Sequence, residues 1–172
     1  MSLVELLMAV VLLLIGMLGF TESLISSVTT GASTREAGLA TQAGRRTIET
    51  LQSTPFAQVL ATYNDHPGDD PVLPGTAPGA DFAVPGLMPQ ENDADGMVGE
   101  IIFPSDGGVP GELRENVADL ALGTPRDLNG DGGFDGADHS SDYRVLPVLV
   151  RLRWRGKVGD SSAEFRTLLT DL

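Results

Sequence analysis

The sequence predicts an α+β fold in which one long N-terminal helix packs on a small antiparallel β-sheet head. The first observation is an uncharged apolar run over 6–21 that continues with few helix breakers until Pro55, because a proline ends a helix at or before the preceding residue. This helix should contain about fifty residues and measure roughly 75 Å. The second observation is three later segments with strand-like composition, at 97–103, 143–155 and 163–169.

The expected helix has two parts of different character. Residues 1–30 are predominantly apolar, whereas 31–54 are amphipathic. An apolar stripe begins just before the amphipathic part and runs along it. It consists of Leu24, Ile25, Val28, Leu39, Ile48 and Leu51. Since such a stripe is buried against a partner, this half should dock on the head. Residues 2–21 are just long enough to cross a hydrocarbon core of about 30 Å.

Residues 55–172 form the expected head, which begins with a short helix over 55–63. Six prolines within 64–90 exclude long helices and central strands there. We interpret 64–90 as an ordered surface loop, with disorder as the alternative.

The segment 148–155 alternates between two faces of a strand. Its apolar face should cover the amphipathic helix and consists of Val148, Val150, Leu152 and Trp154. The other face consists of Leu149 and three arginines, Arg151, Arg153 and Arg155. We expect the arginines to pair with acid-rich loops of this or an adjacent subunit; a nucleic-acid-binding stripe is the alternative.

Composition excludes several classes of function. The formal net charge of −13 and the isoelectric point near 4.3 argue against a nucleic-acid partner, which needs a basic surface. Within 62–142 there are 17 acidic residues and only two arginines. The chain contains no cysteine and only two histidines, so no disulfide can form. It also has no G-x-S-x-G elbow, no phosphate-binding glycine loop and no histidine pair at metal-ligand spacing. We therefore do not expect an enzyme.

The acidic stretch contains a run with the spacing D-x-N-x-D-G-x-x-D-x-x-D over 127–138. Calcium takes six to eight oxygen ligands, and a twelve-residue loop supplies them from positions 1, 3, 5, 7, 9 and 12, with glycine at position 6. The candidate ligands are Asp127, Asn129, Asp131, the carbonyl of Gly133, Asp135 and Asp138. The spacing resembles EF-hand loops and, more closely, dockerin loops. A structural Ca²⁺ would neutralise carboxylates that otherwise repel one another.

Two alternatives concern this acidic region. The run 127–138 can also be read as a solvated surface turn without an ion. The second acidic run, over 91–96, begins in the same way but has Gly99 and Ile102 at positions 9 and 12. We interpret it as a degenerate ion site.

Glu5 is the feature of the N-terminal segment that an ordinary anchor does not explain. A lone charged side chain at the centre of a membrane helix costs about 2.5–3.5 kcal/mol on insertion scales, so a carboxylate near the start of an apolar helix predicts a charge partner. The α-amino group of Met1, on the same or a neighbouring chain, can provide one. A secretory signal peptide is a poor alternative, because no Lys or Arg precedes Arg35.

The string Met1-Ser2-Leu3-Val4-Glu5-Leu6-Leu7 resembles the mature N-terminus of the type IV pilin and pseudopilin superfamily. The resemblance implies a leader removed by a prepilin peptidase, N-methylation of Met1, and contact between Glu5 and a neighbour's amine during assembly. In that family the first residue is most often Phe, from which Met1 departs. The resemblance also implies an architecture in which an antiparallel sheet packs on the second half of a long helix.

The function implied is that of a structural subunit that polymerises into a type IV pilus-like filament at the cell surface, with a head stabilised by Ca²⁺. The partners are other copies of the chain, the inner membrane before assembly, and the pilus or secretion assembly machinery. One alternative is a minor pilin or a type II secretion pseudopilin, which shares the same N-terminus. Another is a membrane-anchored, calcium-dependent adhesion or binding domain that does not polymerise.

Overall fold

The structure, a computed structural model, describes residues 2–107 and 109–171. One helix of 51 residues leads into a short second helix, and four strands follow. The bounds are α1 Leu3–Ser53, α2 Phe56–Tyr63, β1 Asp81–Phe82, β2 Gly99–Ile102, β3 Val145–Gly156 and β4 Gly159–Thr170. The predicted α+β class and the length of the first helix are confirmed.

The four strands form one antiparallel sheet in the order β1-β2-β3-β4. Val150 of β3 lies between Ile101 of β2 and Phe165 of β4, which fixes the register across the centre. β1 lies within the proline-rich segment 64–90 and was not predicted. It is an edge strand of two residues, the position in a sheet where neighbouring prolines are tolerated.

The sheet packs on the second half of α1. The alternation predicted for β3 is confirmed from Val150 onwards, whereas Leu149, on the face of the arginines, is also fully buried. Val148, Val150, Leu152 and Trp154 all belong to the main hydrophobic core. From α1, the side chains in contact with that core are fewer and smaller than the predicted stripe: Ala40, Leu51, Leu39, Ala43 and Ile48.

The predicted stripe was wrong at its N-terminal end. Leu24, Ile25 and Val28 are between 52% and 72% exposed, because the head does not reach that far down the helix. Close approach begins where α1 carries small residues. A Cβ atom built on Gly44 would lie 2.9 Å from Cγ of Phe165 in β4, so the absence of a side chain there lets helix and sheet meet.

Part of the segment 64–90 packs against the head. Val84 and Leu87 belong to the core, and the amide of Gly79 donates to the carbonyl of Thr62 at 3.3 Å, which closes the chain into a loop.

The arginine row of β3 is paired within the same chain. Arg151 lies 3.2 Å from Glu164, Arg153 lies 3.5 Å from Glu100, and Arg155 pairs with Glu91. Because acids of the head and its loops neutralise this row, it does not present a free basic stripe.

Candidate functional site

The first half of α1 extends away from the head as a bare apolar helix. Its large apolar side chains from Leu3 to Val28 are each 45–79% exposed. Its most apolar 18-residue window has a mean hydropathy of 2.7, and none of that window is buried inside the molecule. By length and composition, α1 can cross a membrane. Apolar surface of this extent is unstable in water and marks a membrane or protein contact.

Glu5 caps its own helix. Its carboxylate accepts a hydrogen bond from the amide of Ser2 at 3.2 Å, and the hydroxyl of Ser2 accepts one from the amide of Val4 at 3.3 Å. This reciprocal arrangement is a capping box. Glu5 therefore has a local role besides the predicted contact with an amine. Met1, the predicted donor of that amine and site of methylation, lies outside the described residues.

The acidic loop 127–138 folds around the glycine expected at position 6. Gly132 has φ +90°, a conformation that favours glycine over other residues. The turn aims two amides at Asp127, whose carboxylate accepts bonds from Gly132 at 2.8 Å and from Gly130 at 2.5 Å. The amide of Gly132 above all holds the pKa of Asp127 below its usual value.

The structure places Glu115, which sequence reasoning missed, beneath this loop. Its side chain is about 1% exposed and accepts bonds from the amides of Leu128 at 2.6 Å and Asn129 at 3.3 Å. One carboxylate oxygen each of Glu115, Asp127 and Asp131 lies within 4.8 Å of the others. Nothing in the local sequence around Glu115 signals this role, because it approaches the loop from outside the motif.

This cluster fits a hard divalent cation by its chemistry. Three carboxylates from separate positions supply only oxygen donors, which Ca²⁺ prefers. Charges of the same sign at this separation repel, and a cation between them removes the repulsion.

Asn129 and Gly133 make hydrogen bonds within the loop, and Asp135 belongs to a second group of candidate ligands. Asn129 Oδ1 accepts from the amide of Asp131 at 3.0 Å, and the amide of Gly133 donates to Asp131 at 2.7 Å. Asp135 lies with Glu115 and His139 in a second group of ligand atoms within 4.8 Å of one another.

Asp138, at position 12, serves a different purpose in the structure. Its Oδ1 accepts from the amides of Leu113 at 3.0 Å and Ser140 at 2.9 Å. Burial raises the pKa of Asp138, but these hydrogen bonds and the nearby Arg114 outweigh it, so the pKa is lower than usual. Glu115, rather than Asp138, lies beside the carboxylates of positions 1 and 5.

His139 ties the end of the loop to its neighbours. Its two ring nitrogens lie 3.1 Å from carboxylate oxygens of Asp135 and Asp142. Burial lowers the pKa of His139, but these two bonds and the nearby charge of Glu115 raise it above its usual value. The imidazole thus helps to hold acidic side chains together.

The second acidic run is engaged in other contacts. Glu91 pairs with Arg155, and Asp95 accepts from the amide of Met97 at 2.6 Å.

A long apolar N-terminal helix whose second half packs on a small antiparallel sheet is a pilin-like architecture. No known family model, curated protein or solved structure matches this chain.

Proposed function

We propose that this chain is the structural subunit of a type IV pilus-like filament. In this assembly the apolar halves of α1 bundle in the filament core, and the acidic heads lie on the outside. The single observation that carries the proposal is the bare half of α1, where apolar side chains from Leu3 to Val28 are 45–79% exposed. A bundle of such helices removes this surface from water.

Glu5 is what favours assembly over a simple anchor. An anchor is explained by apolar length alone, whereas a carboxylate at the start of the apolar helix costs energy in the membrane unless a cation neutralises it. In the assembled filament that cation is the terminal amine of a neighbouring chain, as the resemblance implies. A minor pilin or pseudopilin shares this step, and an anchored binding domain does not.

Ca²⁺ is the second part of the proposal. Glu115, Asp127 and Asp131 would hold the ion, and their clustering within 4.8 Å supports it. The ion would stabilise a region of the head that has no disulfide, since the chain contains no cysteine.

Paired substitutions separate the assembly role of Glu5 from its capping role. Glu5→Gln keeps an acceptor for the Ser2 amide but removes the charge. Ser2→Ala removes the other half of the capping box and keeps the charge. We expect Glu5→Gln to leave a folded chain in the membrane without filaments, and Ser2→Ala to form filaments. Abundant normal filaments from Glu5→Gln would overturn the role given to the Glu5 charge, and the absence of filaments from wild-type chains would overturn the proposal itself.

A further inference from the structure

A groove of about 440 Å³ lies between α1 and the segment that carries β1. Its floor is apolar, with Leu39 and Ala43 from the helix facing Phe82 and Val84 from the other wall. The volume lies within the range of about 300–1,000 Å³ that is typical of pockets for organic ligands. Such a groove is therefore large enough to receive side chains of a partner.

One arginine lines the helix side of this groove, and a second lies next to it. Arg46 lines it, and Arg45 lies beside Arg46 on the adjoining helix surface, together with Glu49. Both arginines are exposed, and neither makes an ion pair within residues 2–107 and 109–171. Asp81 lies on the opposite wall but forms no ion pair with either arginine in the described part of the chain.

The loop that follows α2 carries an exposed apolar tip next to two acids. Val72 and Leu73 at its tip are 82% and 62% exposed, and Asp69 and Asp70 precede them. Among the large apolar head residues that the structure describes as exposed, these two form the only pair adjacent in sequence. An acidic turn with two aliphatic side chains complements an apolar groove bordered by arginines.

Hydrogen bonds within its own chain brace the tip. Asp70 accepts bonds from the amides of Thr76 at 2.8 Å and Ala77 at 3.2 Å. The hydroxyl of Thr76 donates to the carbonyl of Leu73 at 2.7 Å. A preformed turn loses little conformational entropy on binding.

We propose that the tip of one copy, residues 69–74, docks in the α1 groove of the next copy. The groove of the same chain does not receive the tip, because Val72 and Leu73 remain exposed there. Tip and groove are different surfaces, so the contact between two copies is heterologous. Such a contact builds an open helical filament unless the rotation from one copy to the next closes a ring. This inference rests on the proposed function and adds a head-to-head contact to the helix bundle.

Disulfide trapping tests the contact, because the natural chain has no cysteine. The test variant carries Gln42→Cys, in the groove wall, and Leu73→Cys, at the tip. The control carries Gln42→Cys with Val158→Cys, which is 76% exposed in the β3–β4 turn. All three positions are exposed, so the head should fold in each variant, as Trp154 fluorescence can verify.

We expect oxidised filaments of the test variant to give a ladder of dimers and longer oligomers on non-reducing gels. The same variant dispersed in detergent, and filaments of the control, should remain monomeric. Adding Arg45→Glu and Arg46→Glu to the test variant should abolish the ladder.

The failures of the two proposals are distinguishable. Normal filaments by electron microscopy without a ladder, or with a ladder in the control instead, overturn the docking contact and leave the filament intact. If wild-type chains form no filaments, the proposed function falls and the docking contact falls with it.

Discussion

Gly44 is the position where a single methyl group tests the packing of helix on sheet most directly. In Gly44→Ala the new Cβ would lie 2.9 Å from Cγ of Phe165 and closer still to two other ring atoms. Carbon atoms pack best at about 3.5–4.0 Å. The ring must therefore rotate or the strand must move away from α1.

The matched control is Gly38→Ala, six residues earlier on the same helix, where an added Cβ meets nothing within 4 Å. Both substitutions gain helix propensity of about 0.8–1.0 kcal/mol. Overpacking at Gly44 costs about 1–3 kcal/mol. Because the propensity gain cancels between the two variants, Gly44→Ala should be less stable than Gly38→Ala by about 1–3 kcal/mol.

The assay is unfolding of the full chain in detergent, followed by fluorescence of its single tryptophan, Trp154, which is 5% exposed in the core. At about 2–4 °C per kcal/mol for a chain of this size, the melting temperatures should separate measurably. If Gly44→Ala is as stable as Gly38→Ala, the close approach of Phe165 to the helix is refuted.

The other expectations concern charge and ion binding. Burial first, and then the charges of Asp95, Asp65, Glu100 and Asp93, raise the pKa of Asp81 from 3.8 to about 6. The folded state therefore favours the protonated form of Asp81. The contribution of this protonated carboxyl to the stability of the fold is present in full below pH 3.8 and is lost as the pH rises through about 6. Asp81→Asn should thus stabilise the chain relative to wild type at pH 7 but not at pH 3.5, with Asp160→Asn as the surface control; equal effects at both pH values would contradict this. For the ion, Ca²⁺ at 100 times its dissociation constant should add about 2.7 kcal/mol of stability, and chelator should remove it; absence of any calcium-dependent shift in melting temperature would count against the site. Asp127→Ala with Asp131→Ala should abolish the calcium response, and Glu115→Gln should weaken it, whereas a full response in Glu115→Gln would remove Glu115 from the ligand set.

The long helix and the strand pattern could be predicted because both follow from local periodicity. A period of two in β3 places Val150 and Trp154 on one face wherever the strand lies. Where the head begins to contact α1 could not be predicted, since this depends on Gly44 and Ala40 meeting particular side chains of the sheet. β1 was missed because it forms only by pairing with β2, a contact that depends on the tertiary structure. The residues around β1 are rich in proline and glycine, which are typical of turns.

In the acidic loop, too, local features could be predicted from the sequence and long-range contacts could not. The turn at Gly132 and the position of Asp127 could be read from the motif. Glu115 comes from outside it, and the hydrogen bonds of Asp138 to Leu113 and Ser140 depend on how neighbouring segments fold. Spacing alone carries no information on such long-range contacts.

The central claim is that this chain polymerises through its apolar helix. The most direct measurement is electron microscopy combined with mass spectrometry of filaments sheared from native cells. We expect filaments in which this chain is the dominant component and begins at a methylated Met1. A chain that remains in the membrane fraction, or appears only as a trace component of filaments built from another protein, would contradict the claim.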